Sequence, residues 1–414
     1  MSRIRFTRVA TPSTPASNKV ELFVDTADRK LKTIDDNGVI SGLNNDGLQD
    51  RNTITNGGFN IQQRVAVAST AIAGMSTTTR AGVVADRWAV TTSVATNLNW
   101  QQVDAGGAPE SLLNSRYYGS IISATAGKKV MLSQFIINAE MAHLRGGKVR
   151  VSVKTSQKVG SEGQTYKLGL IQLNSSGTID TSPAFLSGAF STVTGTDPAW
   201  GTNLAAITPD ASPTGENGTI TGAYLEILSS LAWKRSSAVF TVPTNARNLV
   251  VVLFSNATGG VTDNLSVAEF QLTQGADMVE WREPPVIETI DRCQRFFSKS
   301  FPLTTVPAAS LAVATAGNGS TNIVGKAAAT AFASQIEIRF PIQMHATPTL
   351  TLFTPVTAGA VPYRINGTTP AVQTTAVQSG VTTFGGVVNS TGDANGAVGD
   401  LVGVHWIASC EIVA

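Results

Sequence analysis

The sequence predicts an all-β protein whose strands pack as sandwiches. Thr, Ser, Ala, Gly, Val and Asn dominate the composition, while Lys, Glu and Leu are sparse, which disfavours helices. Strand-sized apolar runs recur between polar turns, and one segment alone has a clear helical period. The 414 residues exceed what one hydrophobic core normally supports, so we expect two or three domains.

The charge balance argues against two classes of partner. The chain has 30 basic and 28 acidic residues, a net charge of +2, which gives no field to hold nucleic acid or an anionic membrane. The longest apolar run, residues 248–255, has the length of a strand and is too short to cross a bilayer. Residues 1–19 lack the apolar stretch of a signal peptide. We expect neither nucleic-acid binding nor membrane insertion.

Residue types that carry catalysis or bind metals are few and scattered. Cys293 and Cys410 form no disulfide framework or zinc motif, which favours assembly in a reducing cytoplasm. His143, His345 and His405 are too dispersed for a metal site or a catalytic triad. We therefore predict no cofactor, no metal and no catalytic residue. A carboxylate pair for glycoside cleavage stays open, because sandwiches bring distant residues together.

Residues 1–50 form a small separate module. The Pro/Thr-rich stretch 11–17 is extended, and strand-like segments follow at 19–25 and 30–36. Asn37-Gly38 is the favoured pair for a two-residue hairpin turn. The resulting β-meander is too small to fold firmly alone, so it needs copies of itself or another protein.

Residues 51–285 are predicted to form the largest unit, a β-sandwich. Val149, Val151 and Val153 alternate with Arg150 and Ser152, so we expect one buried face and one solvent-exposed face. The weakly patterned stretch 174–222 is expected to be a long surface excursion. The predicted strands are 148–154, 166–172, 237–242, 249–254 and 265–272.

The only strong helix signal follows Pro284-Pro285. Val286, Ile290, Cys293 and Phe297 fall on one apolar stripe, which predicts a linking helix within 286–300. After it, 301–414 returns to short strands, at 335–340, 349–353 and 404–412, and predicts a second, smaller sandwich. No fixed-period repeat is present, which argues against a β-helix.

Several motifs resemble, in the same order, those of bacteriophage tail-fibre-like proteins. Asn56-Gly-Gly-Phe-Asn-Ile-Gln-Gln-Arg64 and Ala85-Asp-Arg-Trp88 are similar to the family's opening pattern. Glu288 to Phe297 resembles its E…CQRYY segment, with Phe296 and Phe297 in place of tyrosines. The remaining matches are Trp233 to Pro243, Ala268 to Gly275, Trp281-Arg282, Phe340 to Pro348 with His345 in place of arginine, and the virion-attachment end at residues 11–36.

This resemblance implies a structural protein of a phage particle, assembled in the host cytoplasm and displayed on the virion. Its expected architecture is the 1–50 attachment module, a carbohydrate-binding-module-like jelly roll at 51–285, a helix on a trimer axis and a C-terminal sandwich. The expected partners are two further copies of the chain, a tail adaptor, nozzle or capsid protein held through 1–50, and a host-surface glycan or receptor. A stable monomer in a mass measurement of the purified protein would contradict the trimer.

Three functions remain in competition at this point. The first is a tail fibre or receptor-binding protein, and the second is a capsid fibre or decoration protein with the same modules. The third is a polysaccharide depolymerase, which would need a long parallel β-helix and a carboxylate cluster. The sequence favours the first two, because neither feature of the third is visible, and it does not separate tail from capsid attachment.

Candidate ligand residues are placed in polar loops. If residues 1–50 hold the particle, 301–414 lies outermost, which points to Tyr363, Arg364, Asn366 and Asp393. Trp200, in a Gly/Asp/Pro-rich loop, is a further candidate for stacking on a sugar ring, and Tyr117 and Tyr118 are open to the same role.

Other conspicuous residues are expected to be structural. Trp233 and Trp406 lie inside strand patterns and are predicted to fill cores. Asp86, paired with an arginine, is expected to hold the first strand against the sandwich, while Trp88 fills its core.

Overall fold

A computed structural model gives the structure of much of the chain. Almost all of the regular structure is β-strand, which confirms the predicted fold class. The residues that it describes are 8–9, 13, 15–16, 21–25, 31–34, 40–42, 52–64, 70–71, 81–92, 98–106, 113–123, 129–157, 165–173, 204–211, 217–228, 230–255, 264–303, 307, 321–324, 326–327, 332–354, 363–364, 371–372, 375–393 and 401–410.

The N-terminal module contains the predicted meander. It is a four-stranded sheet of β1 (Arg8–Val9), β2 (Glu21–Asp25), β3 (Leu31–Ile34) and β4 (Ile40–Gly42) in that order. β1 runs parallel to β2, and the other pairs are antiparallel. The predicted Asn37-Gly38 turn lies outside the described residues.

The large sandwich consists of two facing antiparallel sheets. The eight-stranded sheet has the order β15-β16-β12-β18-β10-β7-β6, with β13 also paired to β12, and the seven-stranded sheet has the order β14-β17-β11-β19-β9-β8-β5. The strands are β5 (Thr70–Ala71), β6 (Ala81–Ala85), β7 (Trp88–Thr92), β8 (Leu98–Asp104), β9 (Tyr117–Ser123), β10 (Val130–Ile136), β11 (Lys148–Gln157), β12 (Thr165–Leu173), β13 (Leu204–Ile207), β14 (Pro209–Ala211), β15 (Thr219–Thr221), β16 (Tyr224–Leu228), β17 (Lys234–Thr241), β18 (Asn248–Ser255) and β19 (Asn264–Gln274). A short helix, α1 (Asn138–Met141), and a 3-10 turn (Ala142–Leu144) lie between β10 and β11.

The core between the sheets is apolar and closely packed. Val149, Val151 and Val153 of β11 all lie in it, as their alternation predicts. Phe59, Trp88, Trp100, Phe240 and Phe270 are its largest fully buried side chains. Every residue of β18 is buried, so the longest apolar run of the sequence is a central strand with both faces covered.

The expected solvent-exposed face of β11 is wrong. Arg150 and Ser152 are both buried. The Arg150 guanidinium donates to the carbonyl of Ala276 and to Ser237 Oγ, 2.9 Å away. Ser152 Oγ donates to Gln271 Oε1 at 3.1 Å. The alternation identifies the faces correctly, but it does not reveal a cover that is supplied by distant residues.

The expected surface excursion at 174–222 is wrong for its second half. β13 extends the pairing of β12, β14 pairs with β17, and β15 pairs with β16. This weakly patterned stretch therefore contributes to both sheets. Residues 174–203, including Trp200, lie outside the described residues.

Residues 52–64 form a buried segment that contains no strand and contacts both sheets. The carboxamide of Gln134, on β10, accepts from the Thr55 amide and donates to the Thr55 carbonyl, both at 2.8 Å. Asn56 Nδ2 donates to the carbonyls of Ile61 and Asp86. On the other sheet, the Asn52 carboxamide bonds to the backbone of β19, at Phe270 and Leu272. Side chains thus satisfy backbone groups that a strand would pair in a ladder.

The tetrapeptide Ala85-Asp-Arg-Trp88 is the turn between β6 and β7. Ala85 pairs with Trp88, and Arg87 has a φ of 74°. Trp88 is fully buried, as predicted, and its indole N–H donates to the Asn56 carbonyl at 3.0 Å. Asp86 Oδ2 accepts from Gln63 Nε2 at 2.6 Å, so this carboxylate holds the buried segment. Arg87 forms an ion pair with Glu140 at 3.2 Å.

The linking helix, α2, is Val286–Gln294, shorter than predicted. Cys293 is fully buried within the chain, and Phe297 lies beyond the helix, buried in β20 (Phe297–Lys299). The Arg292 guanidinium donates to the carbonyls of Asn52 and Thr53. Cys293 and Phe297 of the predicted stripe are covered by their own chain, whereas Val286 is exposed. The place of this helix on a trimer axis stays a prediction. Among the described residues, no helix is long and apolar enough to span a membrane.

The C-terminal sandwich has a six-stranded and a four-stranded sheet. The first has the order β20-β29-β25-β26, with β21 and β24 also on β29, and the second has the order β22-β23-β28-β27. Trp406 lies in the core between them, as predicted. The strands after β20 are β21 (Thr321–Val324), β22 (Lys326–Ala327), β23 (Phe332–Arg339), β24 (Thr349–Phe353), β25 (Tyr363–Arg364), β26 (Ala371–Val372), β27 (Thr375–Ser379), β28 (Gly385–Asp393) and β29 (Leu401–Ser409).

Two arginines from the large sandwich stack on the residues that follow α2. The guanidinium of Arg87 lies 3.3 Å from the ring centroid of Phe296, and that of Arg64 lies 3.7 Å from the ring centroid of Phe297. Lys299 Nζ donates to the carbonyls of Gln63 at 2.8 Å and Leu303 at 2.9 Å. These contacts join the end of the buried segment to the start of the C-terminal sandwich.

We predict that Gly57→Ala strongly destabilises the large sandwich. A Cβ at residue 57 would lie well inside contact distance of the Phe270 carbonyl oxygen, which belongs to backbone and cannot swing away. The free energy of unfolding should fall by about 3 kcal/mol in denaturant titration. Gly222→Asn is the control, because nothing lies within 4 Å of a Cβ there and Asn tolerates its φ of 62°. Equal stability of the two variants would contradict this packing.

We also predict that Lys299 makes stability rise in mildly alkaline solution. Burial lowers the pKa of Lys299 from 10.5 to about 8, an effect that the charge of Asp86 partly opposes and that of Arg64 reinforces. Between these two pKa values the unfolded chain binds more protons, so the free energy of unfolding increases with pH, whereas below pH 8 the cost of burying the charge is fully present.

The measurement compares the protein with Lys299→Met, which cannot titrate at this position. The difference in unfolding free energy, wild type minus variant, should become more favourable to the wild type between about pH 8 and pH 10. A difference that stays constant across this interval would contradict the assigned pKa.

Candidate functional site

The outer face of the seven-stranded sheet carries the candidate site, which we call the aromatic face. It is defined by Tyr118, Lys154, Trp233, Arg235 and Glu269. Gly119 approaches Trp100 in the core, so its neighbour Tyr118 is turned outwards. Arg235 pairs with Lys154 on the outer side of β11, and Trp233 lies two residues before Arg235 on the same side.

Tyr118 and Trp233 form an aromatic pair on this face. Their ring centroids are 5.2 Å apart with an interplanar angle of 71°, which is an edge-to-face arrangement. Both side chains are half-buried, so part of each remains accessible to a ligand. The prediction that Trp233 fills a core is wrong, because it precedes β17 and takes the outward side of the alternation.

A buried ion pair underlies the polar part of the aromatic face. Lys154 Nζ lies 3.0 Å from Glu269 Oε2, and the Glu269 side chain is completely buried. The backbone amides of Asn114 and Ser115 donate to Glu269 Oε1. Glu269 has a φ of 52° at a β-bulge where the register between β11 and β19 shifts. The bulge thus turns the Glu269 carboxylate towards its partners, while the Lys154 ammonium lies closer to the surface.

Arg235 is held in position beside this pair. Its Nη2 atom donates to Gln271 Oε1 and to the carbonyl of Val279, both at 3.2 Å. Gln271 Oε1 also accepts from Ser152, so one network fixes three neighbouring strands. A guanidinium has five N–H donors in a rigid fork, which suits hydroxyl and carboxylate oxygens of a ligand.

The ligand residues expected from sequence are not gathered on one sheet. Tyr363 and Arg364 form β25, paired with Gly403 and Val402 of β29. Asp393 is the last residue of β28, opposite Phe332 on the other sheet of the C-terminal sandwich. Trp200 and Asn366 lie outside the described residues. A ligand role for these five residues stays a prediction.

The aromatic face combines aromatic rings with fixed hydrogen-bond donors. Its one acidic side chain, Glu269, is buried and engaged by Lys154 and two amides, so it offers no free carboxylate for acid–base work. Aromatic rings beside fixed donors can take up a molecule with an apolar face and hydroxyl groups. Within the described ranges, no three His, Cys, Asp or Glu side chains lie close enough to hold a metal ion.

The described residues thus define a multidomain β-sandwich protein with a polar and aromatic sheet face. No model of a known protein family matches the sequence, and no curated protein matches it. Solved structures with similar folds include the carbohydrate-binding module TmCBM61 in complex with β-1,4-galactotriose, at 14% identity and a TM-score of 0.28 over 54% of this chain and 99% of that chain.

Two further similar structures come from a xylanase and from a phage tailspike protein. The carbohydrate-binding and GH10 modules of Clostridium thermocellum xylanase 10B, complexed with xylohexaose, match at 13% identity and a TM-score of 0.27, over 46% of this chain and 26% of that chain. The enzymatically active domain of tailspike protein 4 from bacteriophage CBA120 matches at 11% identity and a TM-score of 0.26, over 54% and 21% respectively. The fold class itself follows from the two facing sheets.

Proposed function

We propose that this chain is a non-enzymatic structural protein of a bacteriophage particle that binds glycans on the host surface. The observation that carries the glycan part is the Tyr118–Trp233 pair on a sheet face that also presents Lys154 and Arg235. Pyranose rings have apolar C–H faces that pack on aromatic side chains, and hydroxyl groups that need donors and acceptors. The aromatic face offers both within one surface.

The rigidity of the aromatic face supports recognition. Lys154 and Arg235 are held by Glu269, Gln271 and the Val279 carbonyl before any ligand arrives. A preorganised surface loses less conformational entropy on binding, which matters for the weak contacts typical of sugars. Three copies in one fibre would add avidity without any new contact.

The phage part of the proposal rests on the resemblance of the motifs to tail-fibre-like proteins. In this proposal, residues 1–50 attach the protein to the particle. The protein is a homotrimer and presents three glycan sites to the cell. A tail fibre is the preferred form, and a capsid fibre or decoration protein with the same modules is the alternative. Electron microscopy of particles labelled against this protein distinguishes them, and unlabelled particles would contradict both.

Trp233→Ala is expected to weaken glycan binding by about tenfold or more. Removing a central aromatic anchor typically costs more than about 1.4 kcal/mol of binding free energy, and one factor of ten corresponds to that amount. The full-length protein is applied to an array of bacterial lipopolysaccharides and capsular polysaccharides, and the affinity for each bound glycan is compared between wild type and variant.

The matched control is Leu228→Ala, which truncates a large apolar side chain that is exposed on the same sandwich. Both variants should unfold within about 1 kcal/mol of wild type, because neither residue belongs to a core cluster. Binding that is unchanged in Trp233→Ala would remove the aromatic face from the proposal. Release of reducing ends from any bound polysaccharide would overturn its non-enzymatic part.

A further inference from the structure

The C-terminal sandwich contains a cavity that lies apart from the aromatic face. Its volume is about 470 Å³, and its lining includes Glu337, Arg339, Thr382, Phe384, Gly385 and Val387. Pockets for small ligands commonly have volumes of about 300–1,000 Å³, so this space suits one or two sugar rings. Strands β23 and β28 supply most of its lining, and Ile338, one of the lining residues, also belongs to the core of this sandwich.

One wall of the cavity is an exposed aromatic ring on a fixed loop. Phe384 is 64% exposed. Its backbone is nevertheless anchored, because its carbonyl accepts from the Phe340 amide at 3.0 Å and its amide donates to Thr382 Oγ1 at 3.2 Å. The neighbouring Thr383 carbonyl accepts from the Met344 amide at 2.8 Å. The ring is therefore presented to solvent from a rigid turn.

The adjacent sheet face carries a neutralised pair of opposite charges. Glu337 and Arg339 lie two residues apart on β23, so both point outwards. Arg339 Nε donates to Glu337 Oε1 at 2.9 Å, and the side chains are 63% and 80% exposed for Glu337 and Arg339. The pair leaves carboxylate lone pairs and guanidinium N–H groups open to a ligand while contributing no net charge.

The floor of the cavity requires glycine. A Cβ on Gly385 would lie within contact distance of the Ile338 carbonyl oxygen, so a side chain at this position would displace β28 from β23. The close approach of these strands brings the turn that carries Phe384 beside Glu337 and Arg339. The aromatic ring and the charge pair thus share one wall of the same opening.

We propose that this cavity is a second saccharide-binding site, selective for uncharged sugars. The Phe384 ring packs against the C–H face of a pyranose, while neighbouring hydroxyls donate to Glu337 and accept from Arg339. An acidic sugar gains no net attraction from the pair, because the carboxylate repels it as much as the guanidinium attracts it. Its own carboxylate must still lose hydration on entering the cavity, so neutral sugars are favoured. This inference goes beyond the proposed function and stands without the aromatic face.

Saturation-transfer NMR with the full-length protein tests this site. The probes are methyl β-D-galactopyranoside, methyl α-D-glucopyranoside and N-acetyl-D-glucosamine, with D-galacturonate as the charged comparator. To isolate the cavity, every measurement is made in a Trp233→Ala background. At least one neutral sugar should show saturation transfer there, and galacturonate should show less.

Two variants connect the signal to the cavity. Phe384→Ala should weaken the affinity for the neutral sugar roughly three- to tenfold, since an aromatic contact contributes about 0.5–1.5 kcal/mol. Glu337→Gln leaves the Arg339 charge without its partner, so galacturonate should then bind better than it does to the parent. Leu228→Ala, on the large sandwich, is the control and should change neither affinity.

Three outcomes would overturn the proposal. They are no saturation transfer to any neutral sugar in the Trp233→Ala background, an unchanged affinity in Phe384→Ala, or a preference of the parent for galacturonate. A signal that is present in the wild type and absent in the Trp233→Ala background belongs to the aromatic face alone. Failure here and failure of the proposed function are therefore separate results.

Discussion

The large sandwich depends on hydrogen bonds between buried side chains and the backbone groups of residues 52–64. This segment forms no strand, yet it lies between two sheets, where each unpaired amide or carbonyl would be costly. Gln134 and Asn56 supply the missing partners, and Gln102 donates to the Phe59 carbonyl. The Asn-Gly-Gly-Phe motif is therefore structural. The Asn56 carboxamide holds the turn, Gly57 leaves room for the Phe270 carbonyl, and Phe59 fills the core.

The same segment links the two sandwiches. Its last residues, Gln63 and Arg64, contact Lys299, Phe297 and Ser409 at the base of the C-terminal sandwich. Burial of Cys293 and Phe296 fixes the path between them. Both proposed sites consequently lie on strands and anchored turns, and the two sandwiches that carry them are in contact. Ligand binding at either site then requires only small changes in side-chain position.

The two proposed sites combine the same kinds of side chain on different sheets. Each combines an accessible aromatic ring with an internally paired cation and carboxylate, Lys154 with Glu269 in one and Arg339 with Glu337 in the other. Their exposure differs, because Glu269 is completely buried under its sheet while Glu337 is open to solvent. Only the exposed pair can use its carboxylate as an acceptor, so the two sites are suited to different hydroxyl patterns. Such pairing also agrees with a chain whose net charge is only +2.

The sequence by itself determined the fold class, the strand faces of β11 and the identity of Trp88 and Trp406 as core residues, because these follow from local period and side-chain polarity. Tertiary structure decided what covers those faces. The carbonyl of Ala276 accepts from the buried Arg150 more than a hundred positions away, and Cys293 of α2 is buried by its own chain. The outward position of Trp233 and the exposure of Phe384 were likewise not predictable, since each depends on where a strand begins or how a turn is anchored. Binding surfaces arise where distant strands meet, and their residues share no pattern along the sequence.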